Sequence, residues 1–425
     1  MIRFLLFFVL IIGIFSTLRI IWGLILSNVH QLLSEPFDGS QEYTPLLSII
    51  IPAYNEEKMI HQSVMSALKQ SYHNRQVIVV NDGSTDKTLA ILQDIRQEIT
   101  QNGWIDEGFT TTIPQDERLV IVDQPNAGKS RAINNAVENY ASGELVTVLD
   151  ADSQLAPDAS ARMVNHFRNP HVLAMADNVR ITNSHRLIEL VQQVEYMLGY
   201  RLKGSEQLLR LEYIIGGVGS TFRMSALKAV GYYDTDTVTE DIDLTLKLIK
   251  HFGNRKWIFG YADDVIAYTP PVHSFPQLLK QRYRWKFGRF QALFKYRQLI
   301  ASIHLQKYTL TLSWWKLPKL LVEEFFMLID PIMLLWMIWL IMHYSDVSML
   351  LTVSGVYFIF ALTAFSTEQL RFKQRWKLIG LSPFAYFFLY VINIVDFLCL
   401  LRCLRNGKQI LHRQQSQGSW QHVDR

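Results

Sequence analysis

Acidic residues follow the apolar runs in the first half of this 425-residue chain in a repeated way. Pro52-Ala53-Tyr54-Asn55-Glu56-Glu57 comes after Leu46–Ile51, and Asn81-Asp82-Gly83-Ser84-Thr85-Asp86 after Gln76–Val80. Asp150-Ala151-Asp152-Ser153 comes after Glu144–Leu149. One Asp-Gly or Asp-x-Asp is a common cap or turn. Three sets, each behind a Val- and Ile-rich run, are hard to explain as turns. The chemistry they suit is the handling of a diphosphate ester, whose departure requires charge neutralisation. Asp150 and Asp152 can hold a divalent cation that bridges two phosphates. Asp82 can accept hydrogen bonds from a base or ribose. Lys129, in Asn126-Ala127-Gly128-Lys129-Ser130, opens a helical pattern and puts positive charge near its N-terminus. Further on, Thr239-Glu240-Asp241-Ile242-Asp243 precedes the helical pattern Leu244–Lys250. Locally these acids read as partners of a helix N-terminus; the alternative is that Asp241 is a general base for an acceptor hydroxyl.

The elements that must position these groups follow from periodicity. Leu46–Ile51, Gln76–Val80, Leu119–Val122 and Glu144–Leu149 read as buried strands, and helical patterns follow three of them, at Glu57–Gln70, Asp86–Glu98 and Lys129–Tyr140. Buried strands alternating with helices imply an α/β unit with a mostly parallel sheet. In such sheets ligands bind beyond the carboxyl ends of the strands, where the acidic sets lie. No Gly-x-Gly-x-x-Gly or Walker-type loop is present, which argues against a dinucleotide enzyme or a phosphate-loop ATPase.

Composition divides the chain. Hydrophobic residues make up 49% and charged residues 19%, with the apolar ones concentrated at the N-terminus and in the last quarter. Phe4–Leu26 is long enough for an uncleaved membrane anchor, given that a span needs about 20 apolar residues. Phe325–Met342 and Val347–Phe365, separated by His343-Tyr344-Ser345-Asp346, read as a transmembrane hairpin. The basic flank Glu368–Lys377 assigns that end to the cytosol. A third run, Leu378–Leu401, ends in Arg402 and Arg405, which also favour the cytosol. Three crossings cannot begin and end on one side, so either this run breaks, at Ser382-Pro383, or one flank departs from the rule. Asp330 and Asp396 inside apolar runs read either as lining for a hydrated path or as a helix break and a partner of Arg402. Cys399 and Cys403 read as packing residues. The net charge of +4, gathered in clusters bordering apolar runs, does not suggest nucleic acid.

The order of the motifs resembles the processive family 2 glycosyltransferases, synthases of cellulose, chitin, hyaluronan and poly-N-acetylglucosamine. It runs from Pro-Ala-Tyr-Asn-Glu-Glu through Asn-Asp-Gly-Ser-Thr-Asp, Asn-Ala-Gly-Lys-Ser, Asp-Ala-Asp-Ser and Thr-Glu-Asp to Gln281-Arg282-Tyr283-Arg284-Trp285. The resemblance implies a GT-A fold and an inverting transfer from a UDP-sugar dependent on Mg2+ or Mn2+. It implies that Asp241, with Glu240, is catalytic. Ala53, Tyr54, Glu56, Asp82, Lys129, Asp150 and Arg284 would hold the nucleotide sugar, and Asp150 with Asp152 the metal. Gly217 and Ser220, in Gly216–Ser220, and Trp285 would meet the acceptor. The segment carrying Gln281–Trp285 also reads as an amphipathic interfacial helix.

The expected organisation is an anchor over residues 1–30, a cytosolic transferase domain over 46–275, the interfacial segment over 276–322, a membrane bundle over 323–405 and a polar tail over 406–425. In that tail Gly418–Arg425 resembles a nucleotide-approaching terminus of some relatives. The compact layout is most similar to bacterial poly-beta-1,6-N-acetylglucosamine synthases of biofilm matrices. The implied activity is polymerisation of N-acetylglucosamine from UDP-N-acetylglucosamine at the inner membrane. Its partners would be the donor, the growing polysaccharide, the bilayer and, as the resemblance allows, a small accessory membrane subunit. The alternatives are another beta-glycan synthase (hyaluronan, chitin or cellulose type), a transferase adding one sugar to a lipid, or a transporter with a degenerate transferase domain.

Overall fold

The computed structural model describes residues 2–33, 43–102, 118–182, 184–344, 347–367 and 372–411. Most of the Gln101–Glu117 insertion, Ser345-Asp346, Glu368–Arg371 and the Gly418–Arg425 tail therefore lie outside the described residues. The chain opens with helix α1 (Ile2–Leu33) and then alternates β1 (Leu47–Ala53), α2 (Ile60–Leu68), β2 (Arg75–Asp82), α3 (Thr88–Asn102), β3 (Leu119–Gln124), α4 (Lys129–Asn139) and β4 (Leu145–Val148). The strands expected from the sequence are all present, with ends shifted by one or two residues. There follow β5 (Gln154–Leu155), α5 (Ala159–His166), β6 (Val172–Ile181), α6 (Leu187–Leu208), β7 (Ser220–Arg223), α7 (Met224–Val230), α8 (Glu240–Phe252), β8 (Ile258–Thr269) and α9 (Phe275–Lys295).

The eight strands form one mixed sheet in the order β3-β2-β1-β4-β7-β6-β8-β5. β3, β2, β1 and β4 are mutually parallel, so their carboxyl ends open on one edge. β7 runs antiparallel between β4 and β6. Period-two alternation gives each strand a residue for either face. Ile50, Ile78, Val80, Val146 and Val148 pack with Ala132, Ile133, Ala136 and Val137 of α4 and with Leu244 and Leu248 of α8. Ile49, Ile51, Val77 and Val79 pack on the other side with Ile60 and Val64 of α2 and Leu92 of α3. Both faces are covered, which is why these strands read as continuous apolar runs.

Helix α9 is seated directly on the start of α8. A Cβ at Gly288 would lie 2.2 Å from Thr239 Oγ1, so only glycine permits this approach. The Val238 amide donates to Gln291 Oε1 at 3.1 Å. Lys295 Nζ ends the contact, 2.7 Å from Asp234, 2.5 Å from Asp236 and 2.9 Å from Asp243. The helix that was also read as a membrane-surface element thus buries Leu278, Phe287 and Leu293 against protein. Gly288→Ala is expected to force the two helices apart at an overpacking cost of about 1–3 kcal/mol. A thermal melt of the purified chain should show a Tm lowered by several degrees; an unchanged Tm would mean that the contact yields freely.

Beyond α9 the chain passes through a π-helical turn (Thr311–Lys316) into α10 (Leu317–Tyr344), with Pro331 in its interior, then α11 (Ser348–Thr367) and α12 (Phe372–Leu381). A 3-10 turn at Ser382–Phe384 follows, where one of the two alternatives for this run set a break, and the helical path continues through it into α13 (Ala385–Arg405), with α14 (Gly407–Leu411) beyond. Among the described residues, Thr311–His343 and Arg375–Arg405 are long and apolar enough to cross a membrane, by length and composition. Leu18–Leu33 and Leu350–Ser366 are shorter apolar helices. α13 packs on α9 and α6, with Ile392, Val395 and Cys399 buried beside Val191 and Leu278. Cys399 and Cys403 are free thiols, both buried.

Candidate active site

Two of the acidic loops hold each other. The amides of Asn55, Glu56 and Glu57 donate to Ser84 Oγ, Thr88 Oγ1 and Asp86 Oδ2 at 3.0, 2.8 and 3.1 Å. In return Thr85 N donates to Asn55 Oδ1 at 2.8 Å and Lys87 N to Glu57 Oε2 at 3.1 Å. The spacing of polar residues after β1 and β2 therefore serves first to lace the two loops together. Asp82 plays a related part. Fully buried, it accepts from Gln124 Nε2 at 2.7 Å and from the Ala127 and Gly128 amides at 2.9 and 2.8 Å. It fastens the turn that launches α4 through these protein donors; as a nucleotide contact it is an expectation of the sequence.

That turn delivers Lys129. Its Nζ lies 2.7 Å from Asp150 Oδ1, at the end of β4, and 2.6 Å from Glu240 Oε1, at the start of α8. One ammonium thus joins two sets that are 90 residues apart in sequence. Burial opposes its charge, but the two carboxylates outweigh that and hold it protonated. For Glu240, burial pushes upward and the Lys129 pairing wins, bringing it below its usual range. Asp150 moves the other way: burial raises it, Lys129 opposes, and the neighbouring Asp152 adds repulsion. Gly217 lies over this cluster, where a Cβ would stand 3.2 Å from Lys129 Nζ.

Asp241 follows Glu240 in the first turn of α8, and its Oδ1 accepts from the Ile242 amide at 2.8 Å. Burial, reinforced by the Glu240 charge, pushes its carboxyl up to about 6. It is then a stronger base than an ordinary aspartate yet still ionised at neutral pH, the balance a proton acceptor needs.

Lys129, Asp150, Gly217, Glu240, Asp241, Arg284 and Trp285 all line one cavity of about 520 Å³. This lies within the range of small-molecule sites, about 300–1,000 Å³. Its other wall belongs to α6, with Glu195, Tyr196 and Tyr200, and Asp396 of α13 also reaches it. Most cations of the chamber already have acidic partners. Lys203 pairs with Glu212 at 3.3 Å, Lys286 with Glu324 at 2.8 Å and Arg282 with Glu195 at 2.7 Å. Arg289 pairs with Glu324 as well, and Lys316 with Glu206. Among the described residues that line the chamber, Arg284 is the cation without an ion-pair partner, and it is exposed to the cavity. An incoming dianion meets one guanidinium ready to bind it.

The remaining expected residues stand apart from the chamber lining. Ala53 is fully buried in β1 and offers only its backbone, while Tyr54 and Glu56 sit half-buried in the laced loops. Ser220 is buried, its hydroxyl donating to the Gly216 carbonyl, so it pins the loop from below. Sequence reading missed the α6 wall altogether. Tyr196 and Tyr200 stand one turn apart there, with ring centroids separated by 5.9 Å.

Asp150 and Asp152 suit a hard divalent cation: the donors are carboxylate oxygens, and their mutual repulsion is what such an ion would relieve. Asp234, Asp236 and Asp243 also converge within 4.8 Å of one another, but Lys295 already supplies their cation.

The profile of glycosyl transferase family 2 matches residues 48–231, and that of glycosyl transferase family group 2 matches residues 145–399. A poly-beta-1,6-N-acetyl-D-glucosamine synthase of Staphylococcus epidermidis is 31% identical over 252 residues, 59% of this chain and 56% of that protein. A synthase of the same name from Staphylococcus aureus is 28% identical over 297 residues, 69% of this chain and 66% of that protein. The chain thus spans between about half and two thirds of the length of these relatives. A mannosyltransferase from Pyrobaculum calidifontis, solved with GDP-Man and Mn2+, superposes with a TM-score of 0.55 over 94% of this chain and 97% of that one, at 19% identity. The fold they share is the GT-A fold, here with apolar helices on both sides.

Proposed function

The chain belongs to the family 2 glycosyltransferases, and within that family we propose that it polymerises N-acetylglucosamine from UDP-N-acetylglucosamine into an exported beta-linked polysaccharide. The observation that carries this reading is a single chamber in which Asp150, Arg284, Asp241 and Trp285 all take part. Donor-type and acceptor-type groups face one volume. The synthases of the same name among its relatives support the choice of sugar.

The geometry supports the following steps. The diphosphate lies against Arg284, with Lys129 nearby holding Asp150 and Glu240 in place. A divalent ion held by Asp150 and Asp152 would neutralise the departing diphosphate when bound. The terminal sugar of the polymer stacks on Trp285 and turns a hydroxyl toward Asp241. Asp241 takes that proton as the oxygen attacks the anomeric carbon from the face opposite UDP. The bond to the β-phosphate breaks with inversion, and UDP carries away the electron pair. Desolvation makes Asp241 basic enough for the transfer.

In this reading α1 and the apolar helices within 323–405 form the inner-membrane part, with the transferase domain on the cytosolic side. Asp396 brings a polar group of α13 to the chamber, where the polymer would leave toward the bilayer.

Trp285→Ala is expected to slow elongation about tenfold, in line with the 0.5–1.5 kcal/mol of aromatic contacts, and to change donor hydrolysis much less. Equal loss of both activities would count against an acceptor platform. The reading as a whole is tested by giving membranes separate radiolabelled UDP-sugars and digesting the product with linkage-specific hydrolases. A beta-1,6-linked product from UDP-N-acetylglucosamine is expected; polymer from another donor alone would overturn the substrate and leave the mechanism.

A further inference from the structure

We propose that Arg282 and Glu195 are positioning residues that fix the plane of Trp285 as an acceptor platform. The proposal rests on the reading of Trp285 given above. Arg282 stands one turn before Trp285 on α9, and its Cζ lies over the indole, 4.9 Å from the ring centroid. One face of the tryptophan is therefore backed by a guanidinium, and the residue lines the chamber. A cation over an aromatic face both attracts the ring and limits its rotation.

The guanidinium is itself fixed from outside α9. Its Nη1 donates to Glu195 Oε1 at 2.7 Å and its Nη2 to Oε2, so the two planar groups meet as a fork. Both side chains are largely buried, 10% and 20% exposed. Asp396 of α13 adds to the field holding Arg282 charged. The arrangement is not the one that would best satisfy the arginine: its Nε is buried with no hydrogen-bond partner. A buried donor left unpaired calls for an explanation other than stability. Holding the guanidinium plane against Trp285 supplies one, since turning it to satisfy Nε would give up the fork or the stack.

Glu195 lies on α6, which α1 braces from behind: Ser27 Oγ donates to the Arg201 carbonyl at 2.6 Å. The line Glu195–Arg282–Trp285 thus ties the platform to a helix outside its own motif. Neither Glu195 nor Arg282 reaches Lys129 or Asp150 by any ion pair among those described.

The test is Arg282→Lys, which keeps a cation for Glu195 but removes the plane and the fork. In the full-length chain in membranes, elongation should fall about tenfold, with shorter products. The donor KM, UDP-sugar hydrolysis without transfer and Tm should stay near wild type, a split that a merely structural role would not produce. Combining Arg282→Lys with Trp285→Ala should cost no more than Trp285→Ala alone, because the lysine variant acts through the ring. The exchanged pair Glu195→Arg with Arg282→Glu, which restores the ion pair without the stack, should not recover elongation.

Wild-type elongation by Arg282→Lys, full additivity with Trp285→Ala, or recovery in the exchanged pair would each overturn the proposal. The readout is transfer from whichever UDP-sugar the wild-type chain uses. A wrong polymer assignment would therefore change the product and leave this coupling intact.

Discussion

Replacing Asp241 by asparagine is expected to lower polymer formation by about 10²–10⁴-fold, the usual contribution of a positioned general base. UDP-sugar binding should stay within a few-fold of wild type. Asparagine preserves size and can still accept from the Ile242 amide, so α8 should keep its first turn. What is lost is proton acceptance from the sugar hydroxyl. The pH profile gives a second signature. Because burial and Glu240 raise Asp241 to about 6, it is protonated and inactive below that pH and ionised above it. The wild-type rate should rise as pH increases through about 6 and then level off. The residual activity of the variant should lack that limb. Full polymerisation by Asp241→Asn would remove Asp241 from the role of base.

The second large effect is expected at Arg284. The other cations described around the chamber are paired with acids, so its removal leaves no ready substitute for the incoming diphosphate. Hydrogen bonds to charged groups contribute about 1.5–3 kcal/mol. Arg284→Ala should accordingly reduce kcat/KM for the donor by about 10–150-fold, mostly through KM. Arg284→Lys should be intermediate, since it keeps the charge and loses the fork. A donor KM unchanged in the alanine variant would mean that Lys129 or a bound cation carries the diphosphate instead.

The parts of this site legible from sequence are those set by local pattern. The runs before Pro52, Asn81 and Asp150 read as strands because both of their faces are buried, and parallel pairing then put the acidic loops on one edge. The irregularity at Ser382-Pro383 was legible because proline cannot donate to the preceding hydrogen-bond ladder; it takes the form of a 3-10 turn within the helical run Arg375–Arg405. Less visible was what long-range contact does with the same residues. Asp82 is a strand-end acid like Asp150, but only the fold brings the Ala127 and Gly128 amides to it, 45 and 46 residues on. Ser220 was expected beside the acceptor as part of Gly216–Ser220, and its hydroxyl donates within that loop, to the Gly216 carbonyl.

The α6 wall left no motif at all. Glu195, Tyr196 and Tyr200 occupy ordinary helical positions, and Glu195 becomes informative only beside Arg282, 87 residues away. The acidic triad around Lys295 would suggest a metal site until the ammonium in its centre is seen. Apolar run length marked four segments, and among the described residues two of them, within Thr311–His343 and Arg375–Arg405, are long and apolar enough to cross a membrane.

The most direct measurement of the central claim, that one chamber repeatedly extends a bound polymer, is the chain-length distribution of products early in the reaction. Membranes containing the full-length chain would receive labelled UDP-N-acetylglucosamine and then an excess of unlabelled donor, with products resolved by size. The account predicts long chains while most of the donor remains, with label at the older end of each. A ladder of short products growing together, or one labelled sugar on a lipid, would contradict it.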